Sequence, residues 1–212
     1  MKTLITFLFL SLLLPASAQR FFSLTANIGA FSITPFSTGG TTAESNVYTY
    51  TGAANYSLNA RFFTKNDVAF RVGLGRNNLS YKVNGGNTTT TYEVSHQDTK
   101  GVLGVELHVR LDKKRRFTFY PGVFVPVTWT GKVNVKDVST AVKNSYKTGN
   151  MRAGLGLNAG FNVRIFRIMR IGIEADCLFD RALQAYSDAT MYDYLPIQEL
   201  QANVYGTLGV SF

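Results

Sequence analysis

The sequence predicts an all-β fold: an eight-stranded, antiparallel, up-and-down β-barrel that spans a membrane. Three features of the chain support this prediction. Apolar residues alternate with small or polar ones over most of its length, which is the period of a strand and not of a helix. Short turns and long polar loops follow one another between these stretches. A membrane-spanning helix needs about 20 consecutive apolar residues, and no apolar run beyond residue 18 approaches that length.

The first residues predict a secretory signal peptide rather than part of the fold. Lys2 gives a positive start, Leu4–Leu14 is an apolar run, and Ala16–Ala18 is a small-residue cleavage site. We therefore divide the chain into a signal peptide, residues 1–18, and one barrel domain, residues 19–212. The residue directly after the cleavage site is Gln19 and not a cysteine, so we expect no lipid anchor. Cys177 is the one cysteine, which excludes an intrachain disulfide.

The first three strands are predicted by alternation that is interrupted at two places. They are Phe21–Phe36, Val47–Phe63 and a strand that starts at Val68. In the first strand, the adjacent apolar residues Ala30 and Phe31 shift the phase, which indicates a β-bulge. In the third strand, we predict a phase slip at residues 76–78, after which Leu79 returns to the outward face.

The fourth and fifth strands are predicted on either side of a short basic turn, Asp112–Arg116. The fourth strand ends at Leu111, with apolar residues at odd positions and small or charged residues at even ones. The fifth strand, Phe117–Gly131, alternates aromatic and aliphatic residues with Thr, Tyr and Gly. We predict that the polar segment after it, Lys132–Lys147, is the longest loop.

The sixth strand, residues 151–165, indicates which face is turned outward. Its odd positions carry mainly Leu, Phe, Val and Ile, whereas its even positions include Gly154, Gly156 and Gly160. In a soluble, lipocalin-like barrel these glycines would face water, where they weaken a strand without a packing benefit. In a membrane barrel they face the crowded interior, where small residues fit. The pattern therefore favours an apolar face turned to lipid.

The last two strands, around residues 171–179 and 197–212, keep the alternation to the final residue. Leu208, Val210 and Phe212 share the apolar face of the last strand. A closing strand that ends on an aromatic residue in this pattern resembles those of the small outer-membrane β-barrels of Gram-negative bacteria, the OmpA- and OmpX-like, porin-like family. The resemblance implies insertion in the outer membrane, with these three residues as the signal for the barrel-insertion machinery.

The same resemblance guides the interpretation of the net charge of +9. We expect no nucleic-acid partner for an exported chain. The expected partners are outer-membrane lipids and lipopolysaccharide, whose headgroups are anionic. Aromatic residues near the strand ends are expected to form two girdles at the membrane surfaces. They are Tyr48, Tyr50, Tyr81 and Trp129 near the loops, and Phe21, Phe62, Phe117 and Phe212 near the turns.

Ionisable residues on the inward face are the first candidates for function. They are Arg61, Arg71, Glu106, His108, Arg110 and Glu174. They lie within a few residues of the turns, so we expect several of them to share one layer. One interpretation is a proton relay, a gate or a general acid–base pair. The interpretation we favour is a network of ion pairs that fills the lumen, because buried charges persist when they are paired.

The sequence argues against catalysis. Ser95 and His96 are neighbours and therefore point to opposite faces of a strand, and no serine alternates with His108. With two His and one Cys, we expect no metal cluster, and no cofactor is predicted. The predicted function is a non-enzymatic integral outer-membrane protein with a structural or surface-interaction role. A narrow channel for small solutes is the alternative, and a lipid-modifying enzyme is less favoured.

Two predicted loops offer surface contacts. The third loop is basic and carries Lys132, Lys136, Lys143 and Lys147. The fourth loop is aromatic and carries Tyr192 and Tyr194. The lysines either contact lipopolysaccharide phosphates or are simply solvated. The tyrosines either form a tip that binds a surface protein or ligand, or belong to the girdle.

Overall fold

The computed structural model describes residues 21–37, 47–64, 66–84, 91–114, 116–185 and 199–212. The predicted signal peptide, residues 1–18, lies outside the described residues, as do Tyr192 and Tyr194. The side chains of the predicted girdle residues Tyr48, Tyr50 and Tyr81 also lie outside the described part of the chain. Within the described residues, no helix has the length and apolar character needed to cross a membrane.

Eight strands account for nearly all of the described chain. They are β1 (Phe22–Ser37), β2 (Val47–Phe63), β3 (Val68–Asn84), β4 (Thr91–Leu107), β5 (Phe117–Asp137), β6 (Lys143–Arg164), β7 (Met169–Ala185) and β8 (Glu199–Ser211). A two-residue segment, Val109–Arg110, continues β4 beyond His108 and pairs with β5.

The strands close into a barrel in which every neighbour is antiparallel. The sheet order is β4-β3-β2-β1-β8-β7-β6-β5, and β5 pairs again with β4. Consecutive strands are therefore neighbours, and β1 pairs with β8 to join the two ends of the chain. Closure gives every described strand two neighbours, and β1 pairs with β2 over Phe22–Gly29. The predicted eight-stranded up-and-down barrel is confirmed.

Along β6, side chains alternate between the outer surface and the interior as the sequence predicts. Leu155 and Leu157 are exposed on the outer surface, whereas Asn158 is buried. Two inward glycines make room for aromatic side chains of β5. A Cβ at Gly156 would overlap the ring of Phe124, and one at Gly160 would overlap the ring of Tyr120.

The register of β1 against β8 shifts between Ile28 and Phe31. This shift is the irregularity that the apolar pair Ala30–Phe31 predicts. Another shift occurs between β4 and β5, where Gln97 and Asp98 are consecutive but their partners Lys132 and Thr130 are separated by Gly131. An extra residue on one strand exchanges the faces of all residues beyond it. The bulge at Gly131 therefore turns Val133 and Val135 inward, and both are buried.

The prediction of a long loop over Lys132–Lys147 is wrong. β5 continues to Asp137 and β6 begins at Lys143, so residues 138–142 alone connect them. Asp137 accepts hydrogen bonds from the backbone N–H groups of Ser139 (2.8 Å) and Thr140 (3.3 Å), which fix the turn. The hydroxyl and N–H of Ser139 lower the pKa of the Asp137 carboxyl by favouring its charged form.

The predicted phase slip in β3 is also wrong. β3 pairs with β4 without interruption, and Leu79 is buried in the interior like Asn77. The physical reason is a change of surroundings along the same strand. Near the turns the outer surface is apolar and suits lipid, whereas near the loops apolar side chains point inward. Leu79, Val94, Val133 and Val135 are all buried there.

We expect Leu157→Arg to destabilise the barrel by about 2–4 kcal/mol, because arginine at the bilayer midplane loses its hydration. Thr140→Arg adds the same charge in the exposed turn between β5 and β6 and is the matched control. Urea unfolding of both variants in lipid vesicles measures the difference. Equal midpoints for the two variants would contradict the assignment of the lipid face.

Candidate functional site

Four charged side chains from four strands meet inside the barrel. Arg61 lies on β2, Arg71 on β3, Glu106 on β4 and Glu174 on β7, and all four are buried. Each occupies the inward phase of its strand close to a short turn, which is why residues so distant in sequence converge. We call these four residues the ion square.

Each arginine of the ion square contacts both carboxylates. Arg61 Nε lies 2.6 Å from Oε2 of Glu106, and Arg61 Nη2 lies 2.8 Å from Oε2 of Glu174. Arg71 Nη1 lies 3.2 Å from Oε1 of Glu106 and 2.8 Å from Oε1 of Glu174. Arg61 also donates from Nη2 to Glu106 Oε1 at 3.1 Å, so this pair has two parallel hydrogen bonds. Two positive and two negative charges thus balance.

Neutral groups add further hydrogen bonds to the ion square. Arg61 donates to the hydroxyl of Thr25 at 2.9 Å, and Arg71 donates to Oδ1 of Asn59 at 2.9 Å. The amide of Asn158 donates to Glu106 at 3.1 Å. Satisfying the remaining donors and acceptors is what allows charges to persist in a low-dielectric interior.

His108 belongs to the same site. Its Nε2 lies 3.0 Å from Oε2 of Glu106. The imidazole stacks on the ring of Tyr120 with centroids 5.1 Å apart, and Phe63 meets its edge. The hydroxyl of Tyr120 lies 3.3 Å from Glu174, and Arg61 lies over the Tyr120 ring. His108 is therefore held by two aromatic rings and at one ring nitrogen.

Arg110 is the one predicted interior residue that lies apart from this site. Its guanidinium pairs with Asp67 in the turn between β2 and β3, and both side chains are partly exposed. The strand is interrupted at His108, and Arg110 follows at the solvent end of the barrel. The alternation of residues predicts that Arg110 points inward, but it does not show that Arg110 is too close to the turn to reach the ion square.

A second buried cluster lies nearer the loops, and the sequence analysis missed it. Arg152 pairs with Asp98 and donates to the hydroxyl of Thr130 at 2.7 Å. Thr130 donates to Asp98 at 2.8 Å, and Nδ1 of His96 lies 2.9 Å from the same carboxylate. The even positions of β4 from 96 to 108 are a signal that could have found Asp98, because they continue the phase of Glu106.

An apolar cluster fills another part of the interior. Val102, Phe124 and Leu178 are buried together, although they come from β4, β5 and β7. Arg71 lies over the ring of Phe124, which connects this cluster to the ion square. An eight-stranded barrel has an interior just wide enough for its side chains. Charged, aromatic and aliphatic groups together therefore occupy this part of the interior.

The two histidines lie inside the barrel, and each is bonded to a carboxylate. No group of three or more His, Cys, Asp or Glu in the described chain could hold a metal ion. His96 is buried and bonded to Asp98, whereas Ser95 lies in an open groove with Asn134 on the outer side. Adjacent strand residues point to opposite faces, so this serine and histidine do not meet.

The four lysines predicted in a loop lie on strands and point outward. Lys132 pairs across the strands with Lys147, and Lys136 pairs with Lys143. Glu93 on β4 lies beside them. Its carboxylate accepts a hydrogen bond from Lys136 at 3.1 Å, which lowers its pKa.

The chain from residue 18 to residue 184 matches the family described as outer membrane protein beta-barrel domain. A major outer membrane protein from Thermus thermophilus has a similar structure, with a TM-score of 0.55 at 12% identity, over 92% of this chain and 100% of that one. At this identity the similarity shows the barrel fold alone. No curated protein sequence matches the chain.

Two further solved structures resemble the chain less closely. The attachment invasion locus protein Ail of Yersinia pestis, solved in complex with the heparin analogue sucrose octasulfate, has a TM-score of 0.48 at 8% identity, over 92% of this chain and 99% of that one. The outer membrane protease OmpT of Escherichia coli has a TM-score of 0.47 at 9% identity, over 93% and 100% of the two chains.

We expect Glu106→Gln to lower the free energy of unfolding by about 3–5 kcal/mol, because it leaves Arg61 and Arg71 with one carboxylate between them. Glu93→Gln removes the same charge from an exposed position and is the control. Urea unfolding followed by tryptophan fluorescence measures both. If the two variants unfold at the same midpoint as the parent protein, the ion square does not stabilise the barrel.

Proposed function

The chain belongs to the outer membrane protein beta-barrel domain family, and from this premise we propose that it is a closed, non-enzymatic barrel that acts through its outer surface. It lies in the outer membrane, as its family does. Two roles follow from the proposal: the interior keeps the barrel rigid and closed, and the loop-side surface contacts other molecules of the envelope.

The observation that carries this proposal is the filled interior. The ion square and the cluster of Val102, Phe124 and Leu178 take side chains from β2, β3, β4, β5 and β7 and bury them almost completely. A conducting pore needs a continuous file of water between its polar walls. Here arginine and glutamate contact one another directly across the lumen, and apolar groups fill the adjoining space.

The proposal that the barrel is not an enzyme rests on how its polar groups are engaged. Glu106 and Glu174 both accept from arginine, and Asp98 pairs with Arg152. Carboxylates held in this way act as fixed acceptors, and a general acid must instead carry a proton near neutral pH. The neighbouring residues Ser95 and His96 point to opposite faces of β4 and so do not form a nucleophile–base pair.

The paired strands β5 and β6 at the loop end of the barrel support a role in contacting other molecules. β5 and β6 pair up to Asp137 and Lys143, well beyond Trp129, and bury Val133 and Val135 between the walls of the barrel. Such a wall is preorganised, because paired strands lose little conformational entropy when a partner binds. A surface of fixed shape and charge is suited to recognition.

We expect the refolded protein to give no stepwise conductance in planar lipid bilayers, because the lumen is obstructed. Phe124→Ala combined with Leu178→Ala empties part of the apolar cluster and should produce small steps. Leu155→Ala combined with Leu157→Ala makes a similar truncation on the lipid face and should stay silent. Regular steps from the parent protein would support the alternative function, a narrow channel for small solutes.

A further inference from the structure

The outer face of β3, β4, β5 and β6 next to the loops carries an excess of positive charge. Its cations are Arg76, Lys82, Lys132, Lys136, Lys143 and Lys147. Glu93 is the one carboxylate among the described residues of this face, so the net charge is six minus one, or +5. We call this surface the basic face.

We infer that the basic face binds the phosphate groups of a phosphorylated glycolipid in the outer leaflet. The inference rests on the proposed function, since it names the partner of the loop-side surface.

The strand register brings like charges together on the basic face. Lys132 is directly opposite Lys147, and Lys136 is directly opposite Lys143. Like charges at directly opposed positions destabilise a strand pair. Glu93 lies 3.1 Å from the ammonium of Lys136 and 3.8 Å from that of Lys82, so it compensates one side of the face alone. An anionic ligand between β5 and β6 would relieve the remaining repulsion.

The basic face begins where the lipid-facing surface ends. Trp129 is exposed on the outer surface of β5, and Lys132 follows three residues later. A strand rises by about 3.3 Å per residue, so this lysine lies about 10 Å farther along the strand. Tryptophan is typical of the membrane–water interface. Lys132 and its partner Lys147 are therefore at the height of lipid headgroups, on the side that faces them.

The shape and chemistry of this surface also fit a sugar phosphate. An open groove of about 740 Å³ runs across the face, and its floor carries hydroxyl and amide groups between the charged residues. They are Ser80, Ser95, Asn134, Asn144 and Ser145. Lysine binds phosphate as a point charge, and hydroxyl and amide groups bond sugar hydroxyls. A membrane-anchored ligand is favoured because Lys132 and Lys147 lie between this groove and Trp129 along the strands.

The test compares two variants that lose equal charge. Lys132→Gln with Lys147→Gln removes two cations from the basic face. Lys113→Gln with Lys114→Gln removes two exposed cations from the turn at the opposite end of the barrel. The full mature protein is reconstituted in phosphatidylcholine bilayers that contain diphosphorylated lipid A, and bound lipid A per barrel is counted by native mass spectrometry. We expect about 30-fold weaker binding for the first variant, at about 1 kcal/mol per lysine, and unchanged binding for the second.

Three results would overturn the inference. Equal loss in both variants would indicate an effect of net charge alone. Equal binding of lipid A whose phosphates have been removed would indicate recognition of the acyl chains. Full displacement by a soluble sulfated polysaccharide at equal phosphate or sulfate concentration would indicate a soluble polyanion as the partner. Bilayer conductance is measured on the same samples, so a failure of lipid binding remains distinguishable from a failure of the closed-barrel proposal.

Discussion

The ion square of Arg61, Arg71, Glu106 and Glu174 is the interaction on which the interior depends. It connects β2, β3, β4 and β7 directly across the interior of the barrel. Removing one member would leave a buried charge without its partner, which is far less favourable than removing all four. The square therefore constrains the shape of the whole barrel and the packing of Tyr120 and Phe124 against Gly160 and Gly156.

The outer surface of the barrel meets two different environments along the length of its strands. Near the turns, the outer surface contacts lipid and the charges lie inside. Near the loops, water surrounds the wall, and apolar side chains such as Leu79 and Val133 lie inside instead. On β3 this exchange needs no irregularity of the backbone, because the residue types change while the phase continues. On β5 the bulge at Gly131 achieves it by shifting the phase.

The change from lipid near the turns to water near the loops explains what the sequence could and could not predict. Period-two alternation was sufficient to predict the number of strands, the closure of the barrel and the convergence of Arg61 with Glu106. Both the inward or outward phase of a residue and its distance from a turn can be counted along the sequence. Residues 132–147 were predicted as a loop because the apolar residues there are few and lie on the unexpected face. The pair Asp98–Arg152 was missed because Arg152 lies on β6, two strands away from Asp98, and no single strand shows which residues of other strands share its height.

Charge is distributed differently inside and outside the barrel. The ion square contains equal numbers of positive and negative groups, and Asp98 is matched by Arg152, so the described clusters offer little net attraction to an ion that enters. The outer face opposes Lys132 to Lys147 without a carboxylate between them. Because the interior charges balance and the outer face is positive, the electrostatic field attracts anions to the outer surface rather than into the lumen. Electrostatics and packing therefore support the same proposal, that recognition takes place on the wall of the barrel.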